Sequence, residues 1–118
     1  MRLTTAFVVL LTIAALGSSA SAQPPVATAS KSCSVGDERS YGTTYVLSIS
    51  ASNTSCRNAK KLIRAYHACR PGKAGRCPSV AGYRCSERRF NKSPQSYDSD
   101  VTCKRGSKRV RHTYTQFI

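Results

Sequence analysis

Two clusters of basic side chains are the residues of this chain best suited to chemistry, and the chemistry they suit is anion binding. The first cluster repeats at helical spacing and comprises Arg57, Lys60, Lys61 and Arg64. Like charges four residues apart in a helix cost about 0.2 to 0.5 kcal/mol per pair, and no acidic residue nearby relieves them. We therefore expect this face to bind an anionic partner, with a merely solvated helix face as the alternative.

The second basic cluster surrounds a predicted hairpin turn near the C-terminus. It comprises Lys104, Arg105, Lys108, Arg109 and Arg111. In a strand, Arg109 and Arg111 share one face, opposite Val110. A phosphate- or carboxylate-rich polymer could bind across them, and the alternative is a charged sheet edge that prevents aggregation.

His67 and His112 are the candidates for acid–base catalysis. Two histidines and abundant lysine in a small chain are also features of ribonucleases that use general acid–base catalysis. However, the chain has no Gly-x-Ser-x-Gly nucleophile elbow and no His-Glu-x-x-His motif. His67, near the predicted helix end, fits an ordinary surface histidine beside the helix dipole. The sequence therefore assigns no catalytic residue and favours a protein that is not an enzyme, with a small hydrolase as an alternative.

Six cysteines are predicted to form three disulfides. They are Cys33, Cys56, Cys69, Cys77, Cys85 and Cys103. Their even number suits an oxidising compartment, and the absence of Cys-x-x-Cys argues against a zinc site or a redox motif, so we expect no metal and no cofactor. Six cysteines allow fifteen pairings, and the sequence does not select one. The short separation of Cys69 and Cys77 makes that pair the first expectation, and the other bonds would tie the helix and the N-terminal segment to the sheet.

The N-terminus has the organisation of a cleavable signal peptide. Arg2 precedes an uncharged apolar run, and small residues lead to Ala22, where we expect cleavage. The run is too short to span a bilayer, and no second apolar run follows, so we expect a secreted protein without a transmembrane segment. The predicted organisation is a signal peptide over residues 1–22, a flexible tether over 23–32 and one basic, disulfide-stabilised domain over 33–118.

The charge balance points to negatively charged partners. The full chain has a formal net charge of +14, and losing Arg2 with the signal leaves +13. Outside the cell, phosphate-bearing cell-wall polymers and acidic polysaccharides would both respond to this field. No nucleic-acid-binding motif accompanies the charge, and we expect a monomer.

The elements that must position these residues are one helix and several strands. Uncharged, β-branched residues predict a strand over Tyr41–Ser50, with alternation at Tyr45, Leu47 and Ile49. A helix follows over Cys56–Arg70, a strand over Val80–Glu87, a polar loop over 88–99 and a hairpin over 101–114. This order indicates an α+β fold in which one amphipathic helix packs on a small antiparallel sheet.

The predicted helix has two faces. At 100° per residue its apolar residues and cysteines fall within one arc, and its basic residues fall on the other side. The core arc comprises Cys56, Ala59, Leu62, Ile63, Tyr66 and Cys69. Because both cysteines lie on the core side, disulfides from the helix would hold it in place.

Several short motifs carry a resemblance to a group of known proteins. They are Thr54-Ser55-Cys56-x-x-Ala59-Lys60, Gly82-Tyr83-x-Cys85, Val101-x-Cys103-x-x-Gly106 and Val110. Together they resemble small secreted cysteine-containing proteins of high-GC Gram-positive bacteria that carry no assigned activity. The resemblance covers roughly Cys33 to Tyr114 and implies a disulfide-held extracellular module without known catalytic residues. Relative to that pattern, Cys69 and Cys77 are an addition.

These features together predict a secreted, non-enzymatic module that binds an extracellular polyanion or an anionic cell surface. A cationic antimicrobial or toxin-like protein is one alternative, although the core uses the apolar arc of the helix and leaves little surface to insert into lipid. A protease inhibitor that presents the loop 70–79 is another.

Overall fold

The computed structural model describes Gly17, residues 29–36, 40 and 41, and the continuous stretch 44–118. Apart from Gly17, the predicted signal peptide lies outside the described residues, as does the predicted tether up to residue 28. No helix of the described part of the chain is long and apolar enough to cross a membrane.

The described residues form one helix and seven strands. The strands are β1 (Lys31–Cys33), β2 (Ser40–Tyr41), β3 (Thr44–Ser52), β4 (Ser79–Val80), β5 (Tyr83–Phe90), β6 (Ser96–Arg105) and β7 (Lys108–Phe117), and the helix α1 (Cys56–Cys69) lies between β3 and β4. The predicted α+β fold, with its helix on an antiparallel sheet and three disulfides, is confirmed.

All strands join one antiparallel sheet in the order β1-β3-β7-β6-β5-β4, with β2 paired to β3. The sheet is therefore larger than the small sheet expected. The predicted polar loop over 88–99 was wrong, because β5 continues to Phe90 and β6 begins at Ser96. The error arose from charged and polar residues that alternate across an exposed sheet face, which composition alone does not distinguish from a loop.

A bulge in β3 changes which residues of that strand face the core. The register with β7 shifts between Val46 and Ser48. Val46 and Ile49 are consequently both buried, whereas Leu47 is 54% exposed. The expected alternation of Tyr45, Leu47 and Ile49 on one face was wrong, because an extra residue at a bulge reverses the alternation beyond it.

The helix begins at the predicted Cys56 and ends at Cys69, one residue before the predicted end. The side chain of Ser55 accepts a hydrogen bond from the backbone N–H of Asn58 at 3.1 Å. At the other end Arg70 is the C-cap, and Pro71 follows. The helix buries Ala59, Leu62, Ile63 and Tyr66 against the sheet, as predicted. Two members of the predicted core arc differ, because Cys56 is half-buried and Cys69, in the last turn, is exposed.

The three disulfides join consecutive cysteines along the chain. Cys33 bonds to Cys56, Cys69 to Cys77 and Cys85 to Cys103. The Cys69–Cys77 prediction is confirmed. The expectation that the other bonds tie the helix to the sheet holds for Cys33–Cys56, which joins β1 to α1, but not for Cys85–Cys103, which lies between the paired strands β5 and β6.

Candidate functional site

The sheet has one face under the helix and one face that no helix of the described residues covers, which we call the open face. Because side chains alternate along a strand, the residues of β5, β6 and β7 can each be assigned to one of these two faces. On β6, Val101 and Cys103 are buried on the helix side, and Lys104 lies on the open face. The pairings of β5 with β6 and of β6 with β7 have no register shift, so the open-face residues form rows that run across the sheet.

One row of the open face holds three cations side by side. Arg84 lies opposite Lys104, and Lys104 lies opposite Arg109. All three residues are exposed. Directly opposed residues on neighbouring strands bring their Cβ atoms within about 4.5 to 5.5 Å, and like charges in that position destabilise the sheet. The row therefore concentrates positive charge at a cost in stability.

The next row supplies one more cation among hydroxyl groups. Arg111 lies opposite Thr102 on one side and Ser50 on the other, and Ser50 in turn pairs with Ser32. Arg111 also borders a shallow groove of about 250 Å³ with Ser32, Ser48, Ser50, Asp100 and Thr113. This part of the face offers hydroxyl donors and acceptors beside a guanidinium.

The acidic residues of the open face are both occupied by neighbouring donors. Asp100 accepts hydrogen bonds from Thr113 at 2.7 Å and from Arg88 at 2.9 Å. The hydrogen bond from Thr113, together with Arg88, lowers the pKa of Asp100. Asp98 accepts from Thr115 at 2.5 Å and from Asn91 at 2.9 Å. Neither carboxylate forms an ion pair with the cationic row in the described structure.

The predicted second basic cluster is divided between the two faces. Lys104, Arg109 and Arg111 belong to the open face. Arg105 and Lys108 instead line a groove on the helix side, where they meet Lys61. The structure thus brings together one residue of the first cluster and two of the second. Alternation within the strands accounts for this division, although a shared face was predicted only for Arg109 and Arg111.

The remaining residues of the first cluster lie away from the open face. Arg57 and Arg64 are exposed, and Lys60 is half-buried. Because the helix covers the opposite side of the sheet, these three cations do not join the cationic row. The two basic clusters therefore do not form one continuous surface.

The two histidines, far apart in sequence, meet beneath the C-terminal end of the helix. The Nε2 atoms of His67 and His112 are 2.9 Å apart. His112 is buried on β7, and His67 is half-buried on the helix. The expectation that His67 is an ordinary surface residue was wrong, because the end of the helix lies directly over β7.

Arg70 fixes which nitrogens of the histidines carry hydrogen. Its Nη1 lies 3.2 Å from Nδ1 of His67. A guanidinium only donates, so Nδ1 of His67 accepts and its Nε2–H donates to Nε2 of His112. The hydrogen of His112 then lies on Nδ1, which is buried and has no hydrogen-bond partner in the described part of the chain.

Beside the histidines, a single buried carboxylate collects several donors. The side chain of Glu87 is 1% exposed. It accepts hydrogen bonds from the hydroxyls of Tyr66 and Tyr114 and forms ion pairs with Arg89 at 2.8 Å and Arg76 at 3.3 Å. Burial, with the Glu87 carboxylate adding to it, raises the pKa values of both tyrosines well above their ordinary value. Both hydroxyls therefore remain protonated and act as donors.

The buried cluster ties the loop 71–77 to the sheet. Arg70 donates to the carbonyls of Lys73 at 2.7 Å and Gly75 at 2.9 Å, and to the hydroxyl of Tyr97 at 2.8 Å. Arg89 also donates to Gly75, at 2.9 Å. Tyr66 and Tyr114 are at most 1% exposed, so a substrate would have to displace the packed core to reach them. We interpret the cluster as a structural anchor of the loop.

Two residues that are central to these arrangements, Arg84 and Glu87, lie outside the basic clusters predicted from the sequence. Arg84 completes the cationic row, and the alternation of Tyr83, Cys85 and Glu87 predicts its place on the other face. No local pattern in the sequence shows that a helix, a loop and two strands converge on Glu87. Among the described residues, no group of three or more side chains of the metal-binding types could hold a metal ion.

Comparisons with known proteins do not place the chain in a family. No family model, no curated protein and no solved structure matches it.

Proposed function

We propose that this protein is a secreted binding module that holds an extracellular polyanion on the open face of its sheet. The observation that carries the proposal is the row formed by Arg84, Lys104 and Arg109. Three directly opposed cations without a carboxylate partner in the described structure oppose folding, and a bound polyanion would turn that repulsion into attraction.

The shape of the face suits a polymer better than a small molecule. The strands β5, β6 and β7 have 8, 10 and 10 residues. An antiparallel strand rises by about 3.4 Å per residue. Successive rows therefore lie about 7 Å apart and offer, in turn, cations, hydroxyls and paired carboxylates. A flexible chain with regularly spaced anionic groups could contact the cationic row and Arg111 at once.

The far end of the same face carries exposed aromatic rings. Tyr45 is 41% exposed and Phe117 is 48% exposed, and their ring centroids lie 6.2 Å apart in an edge-to-face arrangement. Rings in such a position can pack against a sugar or another planar group of the ligand. Cell-wall polymers and acidic polysaccharides provide both sugars and anions, so we place them first among the partners.

The proposal also includes export from the cell, which two other features support. Three disulfides persist in oxidising compartments, and the N-terminal pattern of charge, apolar run and small residues is typical of a signal peptide. The partner should accordingly be a polymer found outside the cell.

The test compares two triple variants with equal loss of charge. Arg84→Gln, Lys104→Gln and Arg109→Gln together remove the cationic row, and Arg57→Gln, Lys60→Gln and Arg64→Gln remove three cations of the helix. Oxidised protein is titrated with a sulfated polysaccharide, a polyglycerol phosphate and duplex DNA over a salt series. We expect the first variant to lose at least about tenfold in affinity, and its logarithmic salt slope to fall by as much as about 3, because each lost contact releases about one counterion fewer.

The control variant should keep most of the affinity of the unmodified protein. Equal losses in both variants would overturn the proposal, because they would show that binding follows net charge alone. Weak binding of all three polymers, with affinities that fall in parallel as salt rises, would overturn it as well.

A further inference from the structure

We propose a second, separate site in which the groove between the helix and the β6–β7 turn binds a phosphate monoester that carries an apolar ring or chain. This groove lies on the helix side of the sheet, so it does not depend on the polyanion site of the open face. It combines a cationic rim with an apolar floor, and each part selects one half of the ligand.

The groove has the size of a small-molecule site. Its volume is about 390 Å³, within the range of roughly 300 to 1,000 Å³ typical of ligand pockets. It is bounded by Thr54, Asn58, Lys61, Leu62, Ala65, Ala81, Tyr83, Arg105 and Lys108. These residues come from the residues before the helix and its first ten positions, from the β4–β5 turn with the start of β5, and from either side of the β6–β7 turn, which are distant in sequence.

Three cations define the rim. Lys61 comes from the helix, and Arg105 and Lys108 come from the ends of β6 and β7. No acidic residue lines the groove, and the ion pairs of the described residues involve only other cations, at Glu87 and Asp100. The first turn of the helix also lacks an acidic residue, so its positive dipole end adds to the same field. A dianionic phosphate would be attracted by all four.

The turn beneath Arg105 holds its guanidinium against the backbone. Arg105 donates to the carbonyl of Ala81 at 3.4 Å. A Cβ on Gly82 would lie only 3.2 Å from Nε of Arg105. The missing side chain at Gly82 thus gives the guanidinium room to lie along the turn. Because a guanidinium has five N–H groups, this contact leaves donors for a phosphate.

The floor of the groove favours an organic group over inorganic phosphate. Leu62, Ala65 and Tyr83 provide aliphatic and aromatic surface between the cations. Inorganic phosphate has no apolar surface to bury there, whereas a ring or hydrocarbon chain binds more favourably because it removes apolar area from water. We therefore expect the phosphate to lie at the rim and its organic substituent to lie on the floor.

Phenyl phosphate is the probe that tests both halves of the site. Its binding to the oxidised protein is measured by calorimetry and by amide chemical shifts, alongside inorganic phosphate and phenol. We expect phenyl phosphate to bind at least about tenfold more tightly than either fragment, since charge-assisted hydrogen bonds and apolar burial act together. Shift changes should cluster at Lys61, Tyr83 and Arg105.

Two double variants separate the groove from the general charge of the protein. Arg105→Gln with Lys108→Gln removes two rim cations, and Arg84→Gln with Arg109→Gln removes two cations from the open face, on β5 and β7. The groove variant should bind phenyl phosphate at least about tenfold more weakly, and the open-face variant should change it less than about twofold. The polyanion affinity should respond in the opposite way, so failure of either proposal is visible without the other.

Vesicles that contain phosphatidic acid distinguish the source of the ligand. Vesicle binding that phenyl phosphate displaces would assign the site to a lipid, and binding of phenyl phosphate without vesicle binding would assign it to a free phosphate monoester. Either result supports the site. Equal affinity for phenyl phosphate and inorganic phosphate, equal losses in the two double variants, or no binding at millimolar concentration would overturn it.

Discussion

The imidazole rings of His67 and His112 share a hydrogen bond of 2.9 Å that only uncharged rings can make while Arg70 donates to the other side of His67. Burial, assisted by Arg70, lowers the pKa of His67 to about 4. Burial also lowers the pKa of His112 well below its ordinary value, and His67 and Arg70 contribute. The folded protein therefore keeps both rings neutral where an unfolded chain would protonate them.

Stability should fall as the pH drops from about 6.5 towards 4. Above an unfolded pKa of about 6.5 neither state is protonated, and the folded state has its full stability. Below it the two histidines are protonated in the unfolded chain but remain neutral in the folded chain, so unfolding becomes more favourable. His67 alone should account for about 3 kcal/mol by pH 4, at about 1.4 kcal/mol per pKa unit. Urea unfolding at pH 7.5, 6.5, 5.5 and 4.5 measures this.

The variant His67→Gln provides the control for that titration. It should flatten the pH dependence by about one proton, because only one of the two histidines remains. Asp100 titrates in a lower range, since its pKa lies below the ordinary carboxyl value, and does not interfere. A urea midpoint that stays constant between pH 7.5 and 4.5 would contradict the neutral histidine pair.

Replacing Glu87 by Gln should destabilise the protein strongly. The change keeps the shape of the side chain but leaves Arg89, itself only 11% exposed, without its anionic partner. Breaking a buried ion pair by removing one partner costs about 3 to 5 kcal/mol. The free energy of unfolding in urea at pH 7 measures the loss.

The neighbouring variant Arg88→Gln is the matched control for Glu87. Arg88 is 74% exposed and pairs with Asp100 across the open face. An exposed ion pair contributes about 0 to 1 kcal/mol, so this variant should change stability little. Similar losses in the two variants would show that the buried Glu87 ion pair contributes no more to stability than an exposed one.

Replacing Lys104 by Gln should stabilise the protein at low ionic strength. Lys104 lies directly between Arg84 and Arg109, so its removal relieves two like-charge contacts. Each such contact costs a few tenths of a kcal/mol, and we expect a gain of about 0.5 kcal/mol. Because salt screens exposed charges, the gain should shrink in 1 M salt. Thermal unfolding at both salt concentrations checks it, and destabilisation at low salt would contradict the repulsive row.

Alanine at Gly82 should disturb the groove ligand as well as the backbone. Gly82 has φ +77°, a conformation strained for alanine, and its Cβ would press on Arg105. Gly72 has φ +75° and open space around it, so Gly72→Ala supplies the backbone strain alone. Both variants should lose about 1 to 2 kcal/mol of stability. Only Gly82→Ala should weaken phenyl phosphate, and equal effects of the two on that affinity would refute the placement of Arg105.

The parts of the fold that depend on nearby residues could be predicted from the sequence. The bounds of the helix and its apolar arc depend on residues a few positions apart, and the observed helix lies within one residue of the predicted Cys56–Arg70. The Cys69–Cys77 bond is equally local. Such features depend on spacing along one chain segment, which a sequence shows directly.

The sites depend on pairings that no single segment contains. The cationic row requires the register of β5 with β6 and of β6 with β7, and the histidine pair requires the helix end to lie over β7. The strand β3 contains no proline or glycine from which its bulge could be predicted. Alternation could have placed Arg84 on the open face, but only the register puts it beside Lys104.

The disulfides give a last consequence, for the order in which the chain matures. The first cysteine bonds to the second, the third to the fourth and the fifth to the sixth, so no bridge encloses or crosses another. A chain that enters an oxidising space N-terminus first can thus complete each bond with the next cysteine to arrive. Of fifteen possible pairings, this is the one that bond formation in the order of emergence would favour.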